Sequence, residues 1–166
     1  MTMVNTIEVK KESPKWNDHL FVDQKGSYGW AAGTWERVVL EAEVKRPGFL
    51  GFLRNVPRKE WALCIPYGVA YDKPMYPDLI VFRRTKSGVH VDVLEPHGDH
   101  FADHVSKAQG LARYAKNHSD SLGRVEMIRV IKGKPERLDL QDEKIRGKVL
   151  LATTAEQLED LYIEHG

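Results

Sequence analysis

The sequence predicts an α/β fold, one mixed sheet with helices packed against it. Three observations point there. The stretch TWERVVLEAEVK, from Thr34, repeats its apolar residues at helical spacing. Two apolar runs, LIVFRR and VHVDVLE, are joined by a Gly-containing turn and read as a β-hairpin. A long helical pattern over 101–117 then precedes a further apolar strand, GRVEMIRVI.

The elements follow in chain order. Roughly the first 18 residues are polar and are expected to be loosely held. His19 to Val22 reads as a short strand, stopped by Asp23-Gln24-Lys25-Gly26. Trp35, Val38, Val39 and Ala42 then share one helical face. Thr34 is the expected N-cap, and Pro47-Gly48 ends the helix. WALCIPY (61–67) is a compact apolar run and the candidate for the first buried strand, with Cys64 as a core residue. The hairpin turns at Thr85-Lys86-Ser87-Gly88. The following helix shows an apolar face of Phe101, Val105, Ala108, Leu111, Ala112 and Ala115. After the strand 123–131, two short helices over 141–152 and 154–164 are expected. The core order is helix, three strands, helix, strand.

Composition narrows the function classes. The 166 residues, 42% hydrophobic, fit one domain over 1–166. A net charge of +1 excludes a blanket basic surface, so any nucleic acid would be met by a local patch. One cysteine excludes an internal disulfide. No apolar run approaches the ~18 residues of a membrane helix, and the start lacks the apolar segment of a secretory signal. A cytoplasmic location without a membrane partner is therefore expected. No G-x-x-x-x-G-K-[ST] loop is present, which excludes a helicase motor within this chain. No G-x-S-x-G elbow is present either.

The hairpin carries the first candidate chemistry. Asp78 precedes its first strand and Glu95 ends its second, so a hairpin returns both to one end of the sheet. Converging carboxylates repel and gain from a shared cation, and hard oxygen ligands suit Mg²⁺ or Mn²⁺. His97 lies two residues beyond Glu95 and on an extended chain projects to the same face. The plainer reading is that Pro-Asp is a turn and an acid at a strand end is solvated.

The pattern Pro77-Asp78 followed by Glu95-x-His97 resembles the PD-(D/E)xK nuclease superfamily. Gly33-Thr34-Trp35-Glu36-Arg37 resembles a Gly-x-x-Glu-Arg stretch on that superfamily's first helix. The stretches HLFVD, TWERVVLEAE, GFLRNVPRKEWALCIPY, MYPDLIVFRR, VDVLEPHGDH and KAQGLARYAKNH look like the endonuclease-like domain of type III restriction (Res-subunit-like) DEAD/DEAH-box helicase proteins. The resemblance implies a restriction-endonuclease-like αβββαβ core. It implies Mg²⁺ (or Mn²⁺) held by Asp78, Glu95 and the Pro96 carbonyl, with Glu36 approaching from the first helix. It implies DNA cleavage in restriction or phage defence and an ATP-dependent helicase domain or subunit as a candidate partner. Because double-strand cutting often needs two active sites, a homodimer or a partner is a further expectation. The superfamily lysine is replaced here by His97. Either His97 acts as base or ligand, or Lys107 on the next helix supplies the charge, or the site is inactive. In that last case the chain is a nuclease-fold module for DNA binding or helicase docking.

Three further groups enter as expectations. Arg54, Arg58 and Lys59, flanked by aromatics, form a candidate phosphate patch, preferred over Arg83, Arg84 and Lys86 at the hairpin tip. Gln109 and Tyr114 resemble a glutamine and a tyrosine on the equivalent helix of RecB-like nucleases; packing is the plainer role for Tyr114. His100 and His104 are spaced i, i+4 and offer a rival zinc site. The plainer reading leaves them on an exposed first turn capped by Asp99.

Overall fold

The computed structural model describes residues 14–98 and 102–164. In chain order its elements are β1 (Lys15–Trp16), β2 (Tyr28–Gly29), α1 (Thr34–Val44), β3 (Phe49–Arg54), β4 (Ile65–Tyr67), β5 (Lys73–Met75) and β6 (Leu79–Thr85). There follow β7 (Gly88–Pro96), α2 (His104–Asn117), β8 (Val125–Ile131), β9 (Lys134–Asp139), α3 (Glu143–Leu151), α4 (Glu156–Glu159) and β10 (Ile163–Glu164). The fold is mixed α/β. A six-stranded sheet has the order β10-β9-β8-β7-β6-β3. Only β7 and β8 run parallel, and α2 is the crossover that joins them.

The sheet is covered on both faces, which explains why β6 reads as an unbroken apolar run. Leu79 and Val81 pack in one cluster with Val39 and Leu40 of α1, together with Phe52, Leu94 and Ile128. Ile80 lies in the other, with Val93, Met127 and the α2 residues Ala108, Leu111 and Ala112. Helix α2 also rests on β4. A Cβ placed on Gly110 would come within 2.6 Å of the Tyr67 Cβ, so the absence of a side chain permits this contact.

The outer side of β3 is met by the chain before β2. The Phe52 N–H donates to the Asp18 carbonyl (2.9 Å), and the Leu20 N–H donates to the Phe52 carbonyl (2.7 Å). His19 sits between them, its ring stacked on Tyr28 at 3.7 Å. Its Nε2 accepts the Arg54 N–H (3.0 Å), and its Nδ1 lies 2.8 Å from the Phe21 carbonyl. Burial pushes the imidazole down to about 4, which keeps Nε2 an acceptor.

Several expectations are corrected. The first strand of the sheet is β3, not 61–67. Leu63 hydrogen-bonds through both backbone groups to the Asn55 side chain, at 2.8 Å each, instead of joining a ladder. Only Ile65–Tyr67 is extended, in the separate β4–β5 pair, and Cys64 is exposed. His19–Val22 makes one bridge to Phe52 rather than a strand. Gly33, not Thr34, caps α1, whose buried residues are Val39, Leu40 and Glu43. Residues 15–16 pair with β2 and Trp16 packs on Phe52 at 5.9 Å, so the expected looseness does not hold there. Residues 1–13 lie outside the described residues, as do Asp99, His100 and Phe101. The second tail helix shrinks to α4, and β9 and β10 were not expected from the sequence. Among the described residues no helix is long and apolar enough to cross a membrane.

Candidate functional site

The β6–β7 register pairs Leu79 with Leu94, so Asp78 and Glu95 stand opposite each other at one end of the sheet. The Asp78 carbonyl accepts the Asn55 N–H at 2.9 Å, which fixes the chain entering β6 beside the end of β3. The Asp78 N–H donates to Glu95 Oε2 at 3.2 Å. Lys107 reaches in from α2, its Nζ 3.7 Å from Glu95 Oε1 and 3.8 Å from Asp103 Oδ2. His97 lies between the same two acids, Nδ1 3.6 Å from Glu95 Oε1 and Nε2 3.6 Å from Asp103 Oδ1. The Tyr67 hydroxyl donates to Asp103 Oδ2 at 2.8 Å.

The electrostatics follow from burial. Desolvation pushes the Glu95 carboxyl well above its usual range, and the nearby Asp78 charge adds to that. Asp78 is raised for the same reason, with Glu36 as the repelling neighbour and Lys107 and Arg54 acting against the shift. Each acid is thus most stable when it shares a cation or keeps a proton. Asp103 behaves oppositely. Burial works to raise it, but the Tyr67 hydrogen bond and the Lys107 charge hold it below the usual carboxylate value. One half of the cluster therefore holds its carboxylate charged, and the other favours a shared cation or a retained proton.

The remaining candidates have definite places. Glu36 is close enough to raise Asp78, but its Oε2 accepts the Gly33 N–H, half of a capping box. Arg54 lies at the same end, its guanidinium 4.9 Å over the Trp30 ring. Arg58 and Lys59 are exposed in the loop after β3. Gln109 does not face the acids; its amide donates to the Ala152 carbonyl at 2.8 Å and ties α2 to the end of α3. Tyr114 is half-buried, and its ring packs on His118. His104 is buried rather than exposed, stacked on His97 with centroids 5.7 Å apart. Its expected zinc partner His100 lies outside the described residues. Asp103, not Asp99, is the N-cap residue of α2. Sequence reasoning passed over Tyr67 and the pairing of Asp103 with Lys107. The i, i+4 spacing of Asp103 and Lys107 was the available signal.

Among the described residues no group of three or more His, Cys, Asp or Glu side chains is gathered as a metal cage. The donors that do meet, two carboxylates in a buried corner, suit magnesium, which keeps several waters and takes one or two protein carboxylates. They do not suit a closed zinc site, which takes four nitrogen or sulfur ligands.

Fold and site together define a mixed α/β protein with a buried carboxylate–lysine corner at one end of its sheet. The chain belongs to the YagJ family, which it matches over residues 17–165. It is 36% identical over 163 residues to Protein YagJ of Escherichia coli (strain K12), an alignment covering 95% of this chain. The chain spans 66% of that relative's length, just under two thirds. No solved structure matches it.

Proposed function

We propose that the chain is a metal-dependent DNA endonuclease domain with a restriction-endonuclease-like αβββαβ core. One observation carries this reading. Asp78 and Glu95 converge at the strand ends, both carboxyls raised by burial, Asp78 further by Glu36 and Glu95 further by Asp78, with the Lys107 ammonium 3.7 Å from Glu95. Two acids and a lysine in one corner are the donor set of phosphodiester hydrolysis. The helix that follows β7 supplies the cation that the sequence lacks at position 97.

Asp78 and Glu95 would hold Mg²⁺ or Mn²⁺, with the Pro96 carbonyl as a further oxygen. The ion would polarise the scissile phosphate and make a bound water more acidic. Lys107 balances negative charge that builds on the phosphate oxygens. Asp103 and Tyr67 aim that lysine. His97, lodged between Glu95 and Asp103, orients Glu95 or takes a proton from the attacking water. Glu36 biases the corner toward a cation through its charge on Asp78. Arg54, with Arg58 and Lys59, supplies the phosphate-binding margin. DNA is the proposed substrate, restriction or phage defence the setting, and a helicase subunit or a second copy the proposed partner.

Supercoiled plasmid incubated with Mg²⁺, Mn²⁺ or EDTA tests the reading. Nicking is expected with either metal and not with EDTA. Asp78→Asn should abolish it while leaving a protein at least as stable, because the amide removes a like charge. Normal cleavage by that variant would overturn the assignment. A second reading, a non-cutting nuclease-fold module that binds DNA or docks on a helicase, is favoured by Glu36 being engaged at Gly33. It predicts DNA retention in every metal with no nicking.

A further inference from the structure

A second charged cluster lies on the α1 face of the sheet, toward the hairpin tip. Glu43 of α1 is fully buried and meets three arginines: Arg83 at 2.9 Å, Arg137 at 2.7 Å and Arg124. Asp92 pairs with Arg83 at 3.1 Å and Arg124 at 2.7 Å, and Glu126 pairs with Arg137 at 2.6 Å. A fourth arginine, Arg46, reaches Glu43 only at 3.6 Å. Four guanidinium groups thus face three carboxylates among the described residues, leaving one positive charge in a mostly buried network. Buried charge without a partner is costly.

The shortfall falls on Arg46. Its Nη1 is buried without a hydrogen bond. Desolvation and the charges of Arg124 and Arg137 pull its guanidinium below its usual value, against the support of Glu43 and a weaker one from Glu126. Arg46 also lines a cleft of about 440 Å³, shared with Arg83, Arg124, Thr85, His90 and Asp92. The cleft wall at Gly123 has no side chain; a Cβ there would strike Asp92 Oδ1 at 2.2 Å. Thr85 and His90 are bonded to Ser87, and the Arg83 and Arg124 forks to Glu43 and Asp92, so the guanidinium with spare donors on this recess is that of Arg46. A recess far larger than one ion suits a phosphate carried on a small organic body.

We propose that this cleft binds a phosphate-bearing small molecule of mononucleotide size, with Arg46 as the principal anion contact. The site is separate from the carboxylate corner. Arg83 is five residues along the strand from Asp78, roughly 16 Å at strand spacing. The proposal does not depend on nuclease activity.

Calorimetric titration of the full chain at fixed ionic strength tests it. The ligands are inorganic phosphate, a mixture of the four deoxynucleoside 5′-monophosphates, and a short oligonucleotide without a terminal phosphate. The monophosphates are expected to bind saturably and at least about tenfold tighter than inorganic phosphate. Arg46→Gln should weaken them by about tenfold or more, the loss of one charge-assisted contact. Its melting temperature without ligand should be equal to or above that of the parent, because the uncompensated charge is gone. Asp78→Asn should bind the monophosphates normally. Absence of monophosphate binding, equal affinity for bare phosphate, binding of the oligonucleotide alone, or full affinity in Arg46→Gln would each overturn the proposal.

Discussion

At the level of single residues, the sharpest question under the proposed nuclease reading is which of two basic groups serves Glu95. Lys107 approaches Glu95 from α2 and His97 approaches it from just beyond the end of β7, at 3.7 and 3.6 Å. Only lysine brings a permanent charge. Lys107→Ala is therefore expected to lower single-turnover plasmid nicking by about 10²-fold or more, the size of losing a preorganised charge donor. His97→Asn should cost much less. If it costs as much as Lys107→Ala, the imidazole is the base, and the pH profile of nicking should change with it. The acid pair was legible in the sequence, because a hairpin returns its ends. The lysine was legible only as one of three alternatives, beside His97 and an inactive site, since nothing in a linear pattern says how far α2 leans over the strand ends. Glu36 was assigned to the metal on motif alone, but a helix N-terminus competes for the same carboxylate.

The elements show a similar division. Helix α1 and the β6–β7 hairpin were readable as apolar stretches bounded by Gly, Pro and polar turn residues, although the residues that α1 buries are Val39, Leu40 and Glu43. Strand β9 was not, because much of what it buries is Arg137, 2% exposed, whose partners Glu43 and Glu126 come from α1 and β8. A strand that buries charge has no apolar period to read. Strand β3 was hidden by Gly48 and Gly51 and by the aromatics credited to a phosphate patch. The packing of α2 on β4 supplies a test at this scale. Gly110→Ala improves helix propensity by about 1 kcal/mol, yet its Cβ has no room beside Tyr67. The net expectation is a loss of about 1–3 kcal/mol in urea unfolding. Nicking should fall too, because α2 carries Lys107. An unchanged or raised stability would mean that β4 yields easily.

For the molecule as a whole, the carboxylate corner ties stability to pH and to cations. Asp78 and Glu95 are raised from 3.8 and 4.5 to about 7 and about 8. Acids raised on folding stabilise the fold fully below their unfolded values, and the contribution is lost as pH climbs through the folded ones. Melting temperature should therefore decline in EDTA from about pH 4, near the unfolded values, until about pH 8, and level off above that. Millimolar Mg²⁺ should remove most of that decline, since it binds the ionised pair of the native state. Asp78→Asn should flatten the curve without metal. A curve that magnesium leaves untouched would count against a cation at this corner.

The clasp of Asp18 to Leu20 along β3 has a further meaning. An outermost strand with unsatisfied N–H and C=O groups is a template on which another chain can add itself. Here the Phe52 groups that point away from the sheet are already taken, and the Arg54 N–H is capped by the His19 ring. At the far side, the two residues of β10 screen β9 in the same way. Both margins are guarded by short pieces that contribute little to the core. The guard on β3 includes an imidazole whose Nε2 accepts the Arg54 N–H only while neutral, so acid near pH 4 would free that one donor on the border along which copies of this chain could zip together.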